Sequence, residues 1–421
     1  MDHSLKVTQV DHDDILRART LLLASGRRTP REEVSAYRVL AHVSPAAYLP
    51  RLVTALRHLS YDDCYRDLPE QLFALREEAV AAARAIDPAE PARAELLYDA
   101  LDRYQWHLYD LGRRTEGLAV RAEMLAIDPT SVKGLNRWAA GLSEEGRHAE
   151  AADALTEAVA ALRPGGPSGG GLTSSLLQWT VALDAAGRSD EALAAFEELV
   201  TMQATETADG HSSMAYHLYT LIRHAQMLDT RGRHEEAAAT GQEALRLLTE
   251  LATTGERDSW SGYQASYWAV LLSISGAESE RRAPEEPRPP IGAALPLWSR
   301  EAWRRYVDSR DTLREEVDTL APLAAEDPDR HLAELVRLHR VLTVRSAGHG
   351  EYHAQLPVGR LRPLFDEGVS LARRLSEHDP ATGAAALVTA LVDRATFRTA
   401  AEEFGLALDD LREAYAGAGQ G

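Results

Sequence analysis

The sequence predicts an all-α protein built from successive helix–turn–helix units. Three observations carry this. Hydrophobic residues make up 45% of the 421 residues but aromatics only 6%. The core must therefore come mainly from Ala, Leu and Val; Ala and Leu are strong helix formers, and β-branched runs are few. Next, one phrase recurs: "LGRRTEGLAVRAEMLAIDP" at 111–129, "EGRHAEAADALTEAVAALRP" at 145–164, "AGRSDEALAAFEELV" at 186–200 and "RGRHEEAAATGQEALRLL" at 231–248. Finally, Asp-Pro stops stand at 87–88, 128–129, 327–328 and 379–380. Proline cannot continue a helix and pushes the residue before it out of the helical region.

Taken in chain order, residues 12–45 and 46–88 each read as a helical pair, the second ending "AAARAIDP". The unit over 98–129 is the best defined. Leu101, Tyr104 and Leu108 pack its first helix, Gly112 makes the turn and Pro129 closes it. A glycine there suits the left-handed conformation that ends many helices. Residues 132–163 repeat the plan with Leu135, Trp138, Leu142, Gly146, Ala151, Leu155 and Ala158. Residues 173–200 do so with Leu176, Trp179, Leu183, Gly187, Ala192, Phe196 and Leu199, and residues 218–248 with Leu221, Ala225, Leu228, Gly232, Ala237 and Ala244. The turn glycines are 34, 41 and 45 residues apart, a range typical of helical-hairpin repeats. The longer gaps hold the flexible "PGGPSGGG" (164–171) and the turn "ETADGH" (206–211). A lone first helix is expected over 257–276, followed by the linker "RRAPEEPRPP" (281–290). Helices resume over 297–326, 329–345 and 360–378, and a last pair spans 382–416; "AGHGEYHAQLPVGR" (347–360) is a loop. The organisation is then 1–90, divergent N-terminal hairpins; 91–276, the repeat array; 277–292, a Pro-rich linker; and 293–421, C-terminal helical repeats or a cap.

Over 98–248 these residues resemble tetratricopeptide repeats, the 34-residue helix–turn–helix units. The resemblance implies a right-handed α-solenoid with a C-terminal helical segment, because one hairpin cannot bury its apolar stripe alone. Gly117 and Met124 depart from the small alanines of the pattern, and Gly241 stands where it has an aromatic. The resemblance further implies a concave groove lined by first helices. By register that groove takes Asp99, Asp102, Trp106, Tyr109 and Asp110 from the first clear unit. Lys133, Asn136, Ser143 and Glu144 follow, then Leu177, Val181 and Asp184, then Tyr219, Ile222, Gln226 and Asp229. Such a groove would be acidic with aromatic anchors and suit a basic peptide or protein segment. The chaperone-type pattern that grips a C-terminal carboxylate is not reproduced by Lys133 and Asn136 alone.

The net charge of −19 opposes nucleic-acid binding. Of 46 basic residues only Lys6 and Lys133 are lysine, which reads as the codon usage of a GC-rich genome. With Cys64 as the one cysteine, neither an intrachain disulfide nor a cysteine metal cluster is available. The N-terminus "MDHSLKVTQVDHDD" lacks the basic and apolar regions of a signal peptide. The longest apolar run, "YWAVLLSIS" (267–275), is too short to span a bilayer. The expectation is a soluble cytoplasmic protein.

Catalytic motifs are absent: no G-x-S-x-G, no Walker loop, no dinucleotide fingerprint. "HGEYH" at 349–353 has the histidine spacing of a zinc-protease helix, but Glu351 is one place off and Gly350 interrupts it. No cofactor or metal is expected. The leading reading is a non-catalytic interaction scaffold. A ligand- or peptide-responsive sensor acting on a separate effector is the alternative. A further one is an enzyme with its site in the C-terminal half, near His331, His339, His349 and His353. Exposed apolar ends would also permit self-association.

Overall fold

The computed structural model describes residues 10–24, 28–65, 68–163, 170–256, 264–277, 280, 289–293, 297–348 and 356–418. Among these the chain is all-α, an array of helical hairpins. Its contacts fall into two compact units, Met1–Gly134 and Leu135–Gly421.

The first unit holds α1 (His12–Leu23), α2 (Pro30–Val43), α3 (Pro45–Leu59), α4 (Pro69–Arg84), α5 (Arg93–Asp110) and α6 (Arg114–Ile127). Sequence-local caps start the first two. Asp11 and Asp14 form a capping box on α1, as do Thr29 and Glu32 on α2. Proline opens α2, α3 and α4, where its missing N–H costs nothing. Each helix packs on its chain neighbours, and one core runs through α2–α6, with Leu56, Leu101, Leu108 and Met124 at its centre.

A helix spanning Val132–Glu144 (α7) crosses from one unit to the other. The second unit continues with α8 (His148–Leu162), α9 (Gly170–Ala185), α10 (Ser189–Ala208), α11 (Met214–Thr230), α12 (His234–Thr254) and α13 (Gln264–Ala277). It ends with α14 (Arg300–Glu326), α15 (Pro328–Gly348), α16 (Val358–His378), α17 (Pro380–Ala400) and α18 (Phe404–Ala418).

The recurring Gly-Arg phrase now has a physical account. Gly112, Gly146, Gly187 and Gly232 all take a φ of +73 to +77°. In each turn the amide of the following arginine donates back to a leucine carbonyl five residues earlier: Arg113 to Leu108, Arg147 to Leu142, Arg188 to Leu183, Arg233 to Leu228. This closes the first helix. The second helix then starts without a side-chain cap. Instead the arginine forks onto the glutamate three residues on, in Arg113–Glu116, Arg147–Glu150, Arg188–Glu191 and Arg233–Glu236. Arg188 and Arg233 also reach Asp153 and Glu197 on the preceding second helix, tying repeat to repeat. A fifth copy of the turn joins α17 to α18, with the Glu403 amide donating to Arg398. There Glu402, not glycine, holds φ at +61°, so a search for glycine passes over it.

The C-terminal helices do not run on as an open array. Within the second unit α13 lies among α11, α15 and α17, and α18 packs against α12. The departure at Gly241 fits this arrangement. A Cβ there would lie 3.1 Å from the Tyr415 ring of α18, so the missing side chain is the seat of the last helix. Gly241→Phe is expected to unseat α18 at a cost of about 1–3 kcal/mol, the usual range for overpacking. A melting curve and limited proteolysis at 401–418 check this; unchanged stability and protection would remove the seat.

Candidate functional site

In the first unit, α5 presents the predicted residues unevenly. Asp99 is half-buried and accepts from Arg57 of α3 at 2.9 Å. Asp102 lies 3.5 Å from the exposed Lys133 ammonium. Trp106 is half-buried and Asp110 is exposed. Tyr109, expected to face a groove, is instead 1% exposed. Its ring occupies the space left at Gly117, where a Cβ would come within 2.7 Å of it, and the Arg121 guanidinium sits 3.9 Å from its centroid. It is a packing residue, and Gly117, a departure from the repeat pattern, is the reason.

In the second unit the predicted first-helix positions do share one region, but much of it is covered by the chain itself. Gly292, with φ of +89°, lies against α9, where a Cβ would be 2.8 Å from Val181 Cγ2 and 3.2 Å from the Leu177 carbonyl oxygen. Further along, the Ser299 amide donates to the Glu144 carboxylate at 2.6 Å, and the Ser299 hydroxyl caps α14. Glu144 is therefore buried rather than groove-lining, while Ser143, largely buried, reaches only the edge of an open crevice. Tyr219 is 2% exposed and Ile222 is buried as well. Both lie in the cores where α11 meets its neighbours, which corrects their reading as contact residues. Asn136 is half-buried. Its side chain exchanges hydrogen bonds with Ser175, and its carbonyl accepts from Gln178. Gln226 is half-buried and accepts from Arg223 at 3.3 Å. Asp184 and Asp229 are exposed, yet each has a partner: the Arg231 guanidinium at 2.8 Å and the His234 ring at 2.8 Å.

Beside the crossing segment a crevice of about 400 Å³ remains open. Ser143, Gln178, Val181, Asp184, Arg223 and Ile291 line it. Its wall mixes charges instead of being acidic. Arg223 and Arg231 bring the cations, and Glu280 pairs with Arg345 at 3.2 Å at one edge. Sequence reasoning missed these three. Arg223 stands on α11 and Arg231 at its C-terminal cap, both in the predicted repeat, whereas Glu280 falls in the stretch read as a linker.

Burial holds two histidines of α11 toward their neutral forms. His217 is pushed below its usual pKa by burial, against the opposing pull of Glu243, and His224 likewise against Glu197. His224 also stacks on Phe196 at 6.3 Å. His349, His353 and Trp260 lie outside the described residues. Among the described residues no group of three or more His, Cys, Asp or Glu could hold a metal, and no helix is long and apolar enough to cross a membrane.

No family model and no curated protein matches the chain. Solved structures give matches of low identity. BtubC from P. vanneervenii is 17% identical with a TM-score of 0.39, covering 56% of this chain and 91% of that one. A MamA RS-1 double mutant is 17% identical with a TM-score of 0.35, covering 48% and 96%. The Naa15/Naa10 structure bound to HypK-THB is 14% identical with a TM-score of 0.36, covering 97% of this chain and 64% of that one.

Proposed function

We propose that this chain is a non-catalytic interaction scaffold that binds an extended protein segment. One observation carries the reading: the face formed by 135–144, α9 and α11 already receives a turn of the chain's own backbone at 289–293 and keeps a crevice of about 400 Å³ beside it. A second segment laid next to the first would meet apolar contact from Val181 and Ile291 and polar contact from Gln178, Asp184 and Arg223. In the first unit the strip of Asp99, Asp102, Trp106 and Asp110 on α5 is the matching contact face, with Trp106 as its anchor. The net charge of −19 steers a basic partner toward either face.

The test is selection of displayed random peptides on the intact chain, followed by titration of the winners at low and high salt. Lysine- and arginine-rich sequences should be enriched and should weaken as salt rises. Val181→Arg, which fills the crevice, should weaken those seated in the second unit at least about ten-fold, the effect of losing a central contact. Failure to select any sequence, or binding indifferent to both Val181→Arg and Trp106→Ala, would overturn the reading.

A further inference from the structure

A second cavity, of about 170 Å³, opens among α15, α16 and α17. Val336, Leu364, Phe365, Ala386 and Ala390 give it an apolar wall, while Thr343, Thr389 and the His339 imidazole give it a polar one. His339 is 1% exposed, and neither ring nitrogen has a hydrogen-bond partner among the described residues. Nε2 approaches the Glu367 carboxylate to 3.4 Å but without hydrogen-bond alignment. Nδ1 faces Gly368, where even an added Cβ would stand 3.5 Å away. A buried polar group without a partner is costly, and native structures seldom leave one so. Here it borders a hole the size of the engineered cavity of about 150 Å³ that takes up benzene.

The geometry points to this cavity as a binding site for a small uncharged ligand: one ring or an equivalent branched apolar body, carrying a single hydroxyl or amide that hydrogen-bonds His339. The volume sets the size. The lack of charge follows from the wall. Arg340 is forked onto Asp393 and also donates to Ser275, and Arg337 is forked onto Glu334. These cations are already neutralised, so an anionic ligand would find no free counter-ion there and would lose its hydration. Burial also holds His339 below its usual pKa, and a neutral imidazole offers one donor and one acceptor.

Benzyl alcohol, toluene and benzoate are the probes, read by saturation-transfer NMR and thermal shift on the full chain. Benzyl alcohol should bind saturably and best. Ala390→Leu fills the hole and should abolish its binding; Gly368→Ala, which adds a methyl without a clash and favours the helix, should weaken it. His339→Leu should cost benzyl alcohol about five-fold, the worth of one hydrogen bond, and leave toluene unchanged. Three results would overturn the site: no saturable binding of benzyl alcohol, binding that survives both Ala390→Leu and Gly368→Ala, or toluene or benzoate binding as well as the alcohol.

Discussion

Trp268→Ala is expected to destabilise the second unit by about 3–5 kcal/mol, the usual cost of emptying a fully buried aromatic site. Trp268 is 1% exposed and sits on α13 among Phe365 of α16 and Phe397 of α17, each about 6.0 Å away. Those two rings stack on each other at 4.5 Å, and the indole Nε1 donates to the Thr396 hydroxyl at 3.0 Å. The substitution therefore removes a large apolar contact and a buried hydrogen bond together, while the Thr396 hydroxyl keeps its bond to the Asp393 carbonyl. Its position makes the loss spread. α13 lies between the repeat helix α11 on one side and α15 and α17 on the other, so the cavity beside Phe365 depends on the same packing. Denaturant unfolding of wild type and variant measures the change. A loss below about 1 kcal/mol would mean that the site collapses freely and that α13 does not pin the C-terminal helices.

The same helix shows where the sequence was readable. Its run "YWAVLLSIS" is apolar on all sides, with no polar stripe. That pattern belongs to a helix surrounded by others. Length ruled out a bilayer span, and the turn register marked a first helix, but neither says which helices surround it. Turn chemistry was legible because it is local: Gly112, Gly146, Gly187 and Gly232 need a left-handed conformation, and each arginine finds its glutamate three residues on. The groove was less legible because exposure is not local. Register places Val181, Glu144 and Tyr219 on first helices without showing that 289–293, Ser299 and α13 come back over them. Two clues lay in the departures from the repeat pattern. Gly117 makes room for Tyr109 and Gly241 makes room for Tyr415, so each missing side chain marks a close neighbour.

Acidification should weaken the second unit above the range in which its arginine-paired carboxylates are protonated. His217, His224 and His339 all have their folded pKa lowered by burial, partly opposed by Glu243, Glu197 and Glu367 respectively. The cationic neighbours Arg246, Arg233 and Arg314 push in the same direction as burial. In the unfolded chain each imidazole titrates near its ordinary pKa of about 6.5. Below that pH the unfolded state binds protons that the folded state refuses, so stability rises with pH and falls on acidification. Each histidine contributes at most about 1.4 kcal/mol per pH unit, and the contribution levels off below its folded pKa. Allowing for partial solvation, a loss of about 1–3 kcal/mol between pH 7 and 5 is expected. Carboxylates held low by arginine, such as Glu403 beside Arg362, act in a separate window, below their unfolded value of 4.5. Urea unfolding at pH 7 and 5 reads the first window, against a smaller opposite contribution from Glu206, whose carboxyl burial pushes up. Replacing the three histidines by glutamine should flatten it, since glutamine keeps a polar side chain but takes no proton. A wild-type profile already flat from pH 7 to 5 would mean that these imidazoles take up protons inside the fold, and that water reaches them there.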